Sequence, residues 1–280
     1  MTDLALVYLA RGDDNGLLSA LRFFSYYRTF RSGKEHNLYL LLKGWEKRIH
    51  SRELLCAVFR PLKPRIIFIE DDGYDWGAYL RAVKRGCFSE KYVCFLNTHS
   101  RPICHGWLQM IYSGIENPEV GICGATGSYS NWRYKRPTVK SIKSLLTFVL
   151  RVFVRLKNHL LFSRYYSKGP NAHLRSNAFA VNTGDFLRFA RCARIPRRKK
   201  DAYLLESGKK SFCVFVVNKL KKKMVVASAN GCHFFSGSWK ESGTYASMGQ
   251  VNLLVSDNDT DRYFLAGEAT RADIEYDTWG

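Results

Sequence analysis

The sequence predicts a single α/β domain: a mostly parallel sheet flanked by helices. Two observations carry this expectation. Short apolar runs alternate with stretches of helical pattern, and a chain of 280 residues with 46% hydrophobic and 14% aromatic content is long enough to bury one sizeable core. Parallel strands need long crossovers, and helices on both faces keep such a sheet from water. No solenoid period and no Gly/Ser-rich linker divides the chain.

The elements follow in order. Leu4 to Leu9 is a short apolar run bounded by Ala10-Arg11-Gly12-Asp13 and reads as a buried strand ending in a loop. Leu17 to Tyr27 is helix-like, Asn37 to Leu42 and Arg65 to Ile69 repeat the strand signature, Trp76 to Arg85 is helical, and Lys91 to Leu96 is a fourth strand. Ligands of open α/β sheets bind at the strand carboxyl ends. Three segments stand there: Ala10-Arg11-Gly12-Asp13, Glu70-Asp71-Asp72-Gly73 and Asn97-Thr98-His99-Ser100.

Lys plus Arg number 44 against 24 Asp plus Glu, a formal net charge of +20, so polyanions are the expected partners: nucleotide phosphates, nucleic acid or acidic lipid. The eight cysteines include no C-x-x-C pair and mostly sit in apolar runs such as Tyr92 to Leu96, the pattern of buried free thiols in a reducing compartment. The first residues show neither a basic n-region nor a long apolar h-region, so a cytoplasmic address is expected.

From Ser141 to Phe162, Lys143, Thr147, Arg151, Arg155 and His159 recur every fourth residue and form a polar stripe on an otherwise apolar helix. Its central arginines argue against a spanning helix, whereas a basic amphipathic helix lying among lipid headgroups tolerates them. With the clusters Arg194 to Lys200 and Lys219 to Lys223, it suggests peripheral attachment to the inner face of an anionic membrane. The alternative is a core-packing helix whose basic stripe faces water.

The sequence contains no G-x-x-x-x-G-K-S/T loop, no G-x-G-x-x-G after a strand, no H-E-x-x-H and no G-x-S-x-G elbow. What it has is the run Ile66 to Tyr79, an acidic-Gly turn between strand and helix, followed by Tyr92 to Pro102, a strand with a polar tip. Asp72-Gly73, Gly77-Ala78-Tyr79, Pro102, Gly106 and Trp107-Leu108 continue the pattern, and Glu116 to Gly124 supplies a further strand. This order resembles the nucleotide-binding half of family-two glycosyltransferases with the GT-A fold, a Rossmann-related architecture. The resemblance covers about residues 4 to 125, with weaker support to about 235.

The resemblance implies residues 1–125 as a nucleotide-sugar-binding half, 126–170 as a basic amphipathic insertion, and 171–280 as an acceptor-binding half with a C-terminal lid around Trp239 to Tyr245, where Ser242 and Thr244 could donate hydroxyls to a diphosphate. It implies transfer of a sugar from a nucleotide-activated donor to a hydroxyl of a glycan or lipid-linked acceptor, with inversion, in cell-surface polysaccharide assembly. Donor-binding candidates are Ala10, Arg11, Lys43, Asp71, Asp72, Gly73, Asn97, Thr98, His99 and Arg101. Where the family carries metal-binding aspartates this chain has Asn97, Thr98 and His99, a poorer set for Mn²⁺ or Mg²⁺. Asn97, His99 and a late His233 are the metal-ligand candidates; metal-independent neutralisation of the diphosphate by Arg11, Lys43 or Arg101 is the alternative.

Lys200 to Gly208 resembles the family's segment that carries the catalytic base. On that likeness Asp201 aligns with the base, and Glu206 competes with it. Asp201 could equally be a helix N-terminal acid offsetting the dipole, and Glu206 a surface ion pair with Lys209 or Lys210. Two other functions compete: a non-catalytic membrane-associated scaffold, and a nucleic-acid-binding protein. The second is disfavoured because the aromatics lie in apolar runs such as Phe212 to Val217 and no nucleic-acid module signature appears, so no nucleic-acid partner is expected.

Overall fold

The computed structural model describes residues 2–13, 15–132 and 145–280. The first half supplies β1 (Leu4–Arg11), α1 (Gly16–Thr29), β2 (Asn37–Lys43), α2 (Ile49–Phe59), β3 (Arg65–Ile69), α3 (Tyr74–Lys84) and β4 (Tyr92–Leu96). A short β5 (Arg101–Pro102), α4 (Trp107–Glu116), β6 (Val120–Gly124) and a short β7 (Gly127–Ser128) follow. Then come α5 (Leu145–Phe162), β8 (His173–Leu174), β9 (Ala178–Asn182), α6 (Thr183–Cys192), α7 (Lys199–Ser207) and α8 (Phe212–Asn218). The chain ends with β10 (Lys223–Ala227), β11 (His233–Phe235), β12 (Val255–Ser256), α9 (Asn258–Leu265) and α10 (Glu268–Trp279).

Eight strands form one sheet in the order β11-β10-β6-β9-β4-β1-β2-β3. β1 runs parallel to β2 and β4, β2 to β3, and β6 to β10; β9 is antiparallel to both β4 and β6, and β11 to β10. The expected mostly parallel α/β domain is therefore present, and strands from both halves of the chain share its sheet. β9 is the element that parallel-sheet reasoning does not foresee. Its reversal brings the residues just before Ala178 to the same edge as the carboxyl ends of β4 and β6, since Leu96 and Gly124 pair with Ala178 and Phe179.

Alternation along each strand explains the two cores. In β1, Leu4, Leu6, Tyr8 and Ala10 pack on the layer of α1, α2 and α4, while Ala5, Val7 and Leu9 pack on the layer of α3, α6 and α8. Side chains of period two bury both faces only if every position is apolar, which is what the sequence Leu-Ala-Leu-Val-Tyr-Leu-Ala provides. Each large aliphatic side chain so buried contributes about 1.5–3 kcal/mol. Phe212 to Val217, an apolar run, forms the core-facing helix α8 with Phe212, Cys213 and Val216 buried.

All eight cysteines are unpaired; Cys94, Cys123 and Cys213 are buried, while Cys192 and Cys232 are exposed. Among the described residues no helix is long and apolar enough to cross a membrane. Of the basic stripe on the Ser141 to Phe162 segment, Lys143 lies outside the described residues; the helix itself begins at Leu145.

The strand tips are tied together by specific contacts. The Tyr8 hydroxyl donates to the Thr98 carbonyl at 2.8 Å, the Trp45 indole to the Ala10 carbonyl at 2.9 Å, and the Gly12 amide to the Lys43 carbonyl at 2.7 Å. Gly12 has no room for a side chain, because a Cβ would stand 2.2 Å from the Gly44 carbonyl oxygen. Gly12→Ala is expected to push the tips of β1 and β2 apart and to cost about 1–3 kcal/mol of stability, read as a lower Tm in thermal melts.

Candidate active site

A cleft of about 220 Å³ opens where these tips meet. β1 and the loop after it contribute Arg11 and Asp13; the turn after β4 contributes Thr98 and His99; Ser176 comes from the segment entering β9. The first turn of α3 contributes Tyr74, Asp75 and Trp76. That helix is entered through two left-handed residues, Gly73 at φ 71° and Tyr74 at φ 56°, which turn the chain sharply off the strand. The last wall is α7, whose Lys199, Ala202, Tyr203 and Glu206 recur at the spacing of one helix face.

Two carboxylates dominate the chemistry. Burial raises Asp75 above the usual aspartate value; Lys43, Arg11 and His99 oppose that rise and Glu206 adds to it. Asp75 takes no hydrogen bond and no ion pair among the described residues, so its oxygens are open to a ligand. Burial likewise raises Glu206, against the lowering influence of the Ser176 amide, which donates to Oε1 at 2.7 Å, and of Arg175. Lys43 is nearly inaccessible, at 2% exposure, and donates from Nζ to the Tyr74 carbonyl at 2.9 Å. Burial lowers its pKa while Asp75 counteracts that. The wall residues Trp76 and Thr98 each keep a buried polar atom, Nε1 and Oγ1, without a hydrogen-bond partner among the described residues.

The residues expected from sequence divide. Arg11, Thr98, His99 and Glu206 line the cleft, and Lys43 lies beside Asp75. The others stand elsewhere or are engaged in building the scaffold. Ala10 is fully buried. Asp71 and Asp72 are exposed at the tip of β3; Asp72 is bridged to Arg81 at 2.5 Å, and Asp71 packs against Gly44. Gly73 shapes the entry to α3. Arg101 pairs with Asp261 at 2.5 Å and pins β5 to α9. Asp201 does not line the cleft: its Oδ2 accepts the amides of Arg197 and Arg198 at 3.2 and 3.0 Å, capping the start of α7.

Asn97, His99 and His233 do not assemble as a ligand set. Asn97 Oδ1 already accepts the His99 amide at 3.0 Å and the Ser100 hydroxyl at 2.8 Å, which builds the turn after β4. His233 lies on β11 at the sheet edge, its Nε2 2.9 Å from the Met110 carbonyl oxygen. Among the described residues no group of three His, Cys, Asp or Glu side chains could hold a metal ion. In the expected lid, Ser242 and Thr244 are buried and 2.9 Å from each other, away from the cleft wall. Asp75, Asp13, Tyr203 and Ser176 were not named individually as site residues, although Asp13 lies in the expected strand-end segment Ala10 to Asp13 and Tyr203 in the segment Lys200 to Gly208. The one signal for Asp75 was an acid two residues after a turn glycine.

No protein-family model matches the sequence, and no curated protein matches it. Among solved structures, the chain is similar to mouse xyloside xylosyltransferase 1 in its apo form, with 12% identity over 81% of this chain and 86% of that one and a TM-score of 0.42. It is also similar to a 4-diphosphocytidyl-2C-methyl-D-erythritol synthase from Anaerococcus prevotii, with 11% identity over 83% and 90% and a TM-score of 0.44. A third is CMP:2-keto-3-deoxy-manno-octonic acid synthetase complexed with CTP, with 7% identity over 81% and 92% and a TM-score of 0.42.

A carboxylate whose folded-state pKa is raised makes the native state less stable as pH climbs from the ordinary value through the raised one. Asp75→Asn removes that penalty and breaks no hydrogen bond. Its Tm is therefore expected to exceed the wild-type value at neutral pH, with the difference fading below about pH 4, where unfolded aspartate is protonated. Thermal melts of both proteins across that range check it.

Proposed function

We propose that the protein is a glycosyltransferase that moves a sugar from a nucleotide-activated donor to a hydroxyl of a glycan or lipid-linked acceptor in cell-surface polysaccharide assembly. The observation that supports this best is the pair of raised carboxylates, Asp75 and Glu206, facing one cleft beside the cations Arg11, Lys43 and Lys199. Acid and cation have separate tasks in such a transfer.

In this reading Glu206 removes the proton from the acceptor hydroxyl as its oxygen attacks the anomeric carbon. The bond from that carbon to the diphosphate oxygen breaks, and the nucleoside diphosphate leaves with the electron pair. A base in line with the attack inverts the sugar. Raised basicity suits the task, since a base works best with a pKa near the working pH. The cations Arg11, Lys43 and Lys199 stabilise charge developing on the leaving group. Tyr74 and Tyr203 offer flat faces to a base or sugar ring. Asp75 holds donor hydroxyls.

Nucleotide sugars and free nucleoside diphosphates, screened for a rise in Tm with and without Mn²⁺, identify the donor by mass action. With that donor, Glu206→Gln is expected to lower kcat about 10²–10⁴-fold while nucleotide binding persists. Asp201→Asn is expected to weaken a helix cap, costing about 0.5–2 kcal/mol, and to leave turnover of the folded protein intact. Absence of any Tm shift across the panel would overturn the reading in favour of a non-catalytic scaffold.

The acid limb of the rate profile should reflect Glu206. Activity is expected to rise with pH through a value above the ordinary glutamate range, because the base must be ionised and burial raises its pKa. Measuring kcat against pH checks this, and a limb at the unperturbed glutamate value contradicts the assignment.

A further inference from the structure

Helix α5 carries an apolar row that nothing in the described protein covers. Val152, Leu156 and Leu160 are spaced by four residues and lie 51, 57 and 67% exposed, and Phe153 beside them is 65% exposed. A soluble helix turns such a row inward. The helix has 18 residues and is not apolar enough to span a bilayer.

Its surroundings are cationic. Helix α5 and the residues that follow it to Lys168 contain no Asp or Glu. The C-terminal end of α5 packs against the start of α7: Lys200 Nζ lies 4.1 Å from the Tyr165 ring centre and 5.3 Å from that of Phe162, and the Lys209 amide donates to the Tyr165 carbonyl at 2.9 Å. Arg164, Lys168, Arg197, Arg198, Lys199 and Lys210 are exposed at this junction. Trp132 joins the two helices, with its ring 5.9 Å from Phe162 and 4.6 Å from Tyr203, a residue of the cleft wall.

We propose that the exposed row of α5 and the cationic junction beside it seat the protein on an anionic phospholipid surface, with α7 and its cleft wall at headgroup level. An aliphatic row bordered by cations and free of acids fits the boundary between acyl chains and anionic headgroups. Nucleic acid would match the charge but not the aliphatic row, and a protein partner would match the row but not the excess of positive charge. Docking does not depend on the transferase reading. Together the two point to a lipid-linked acceptor, presented to Glu206 from the membrane side.

Sedimentation with vesicles tests this without any turnover. The wild type is expected to pellet with phosphatidylcholine vesicles in which phosphatidylserine is about one third of the lipid, and far less with phosphatidylcholine alone. Replacing Val152, Phe153, Leu156 and Leu160 together by Ser is expected to weaken binding at least tenfold while far-ultraviolet circular dichroism stays unchanged. Phe153→Glu, at a solvent-exposed position, serves the same purpose if that variant does not fold. Arg164→Gln, Arg197→Gln and Arg198→Gln combined are expected to weaken binding about a hundredfold, at roughly fivefold per cation. Wild-type protein that ignores anionic vesicles, or Phe153→Glu protein that pellets as the wild type does, overturns the proposal, and so does retention of RNA in preference to vesicles.

Discussion

The two-sided burial of β1 is the constraint on which the rest of the structure depends. From Leu4 to Ala10 every residue is fully buried, alternate side chains feeding opposite cores. A sheet sealed on both faces leaves only its strand ends for polar chemistry. Every charged group of the cleft therefore comes from a strand tip, a loop leaving one, or a helix laid across the tips. The reversed β9 extends this logic, since its start delivers Ser176 to the edge where its neighbours end.

The cleft is held as an electrostatic balance rather than as a set of ion pairs. Lys43, nearly inaccessible, offsets part of the burial penalty on Asp75, while Glu206 makes Asp75 harder to ionise. The carboxylates at the tip of β3 contrast with this. Glu70 and Asp72 are exposed and neutralised by Arg81 and Arg85, so they organise a surface and have no unsatisfied charge to offer. Local environment, not residue type, separates the reactive acids from the structural ones.

The sheet was largely legible in the sequence because buried parallel strands are continuous apolar runs: Arg65–Ile69 is found as expected, and β1, β2 and β4 differ from expectation by a residue or two at their ends. Helix α2 escaped notice because it buries only Leu55 and Phe59, too little to impose a clear period. Within the cleft, Arg11, Thr98 and His99 follow directly from the rule that ligands gather at strand ends. Asp75 does not, because an acid in a first helical turn reads equally well as a partner for the helix dipole; only the left-handed entry at Gly73 and Tyr74 aims it inward. Asp201 and Glu206 lie on one helix, and three-dimensional contacts were needed to show that the first closes a cap while the second faces the cleft. His233, a ligand candidate only through the family likeness, sits on a strand at the sheet's outer edge, a placement its sequence neighbourhood does not reveal.

Arg175 has a consequence of its own. Its guanidinium is gripped by Asp257 at 2.9 Å and Asp259 at 2.7 Å and lies 4.1 Å from the centre of the Tyr245 ring, all from the last forty residues, while its charge also acts on Glu206. Burial works against that charge, and the two aspartates more than offset it. The end of the polypeptide thus acts as a ballast for the cleft: a chain cut before Val255 would free a strong cation next to the proposed base, so chain completion and reactivity are coupled through one side chain.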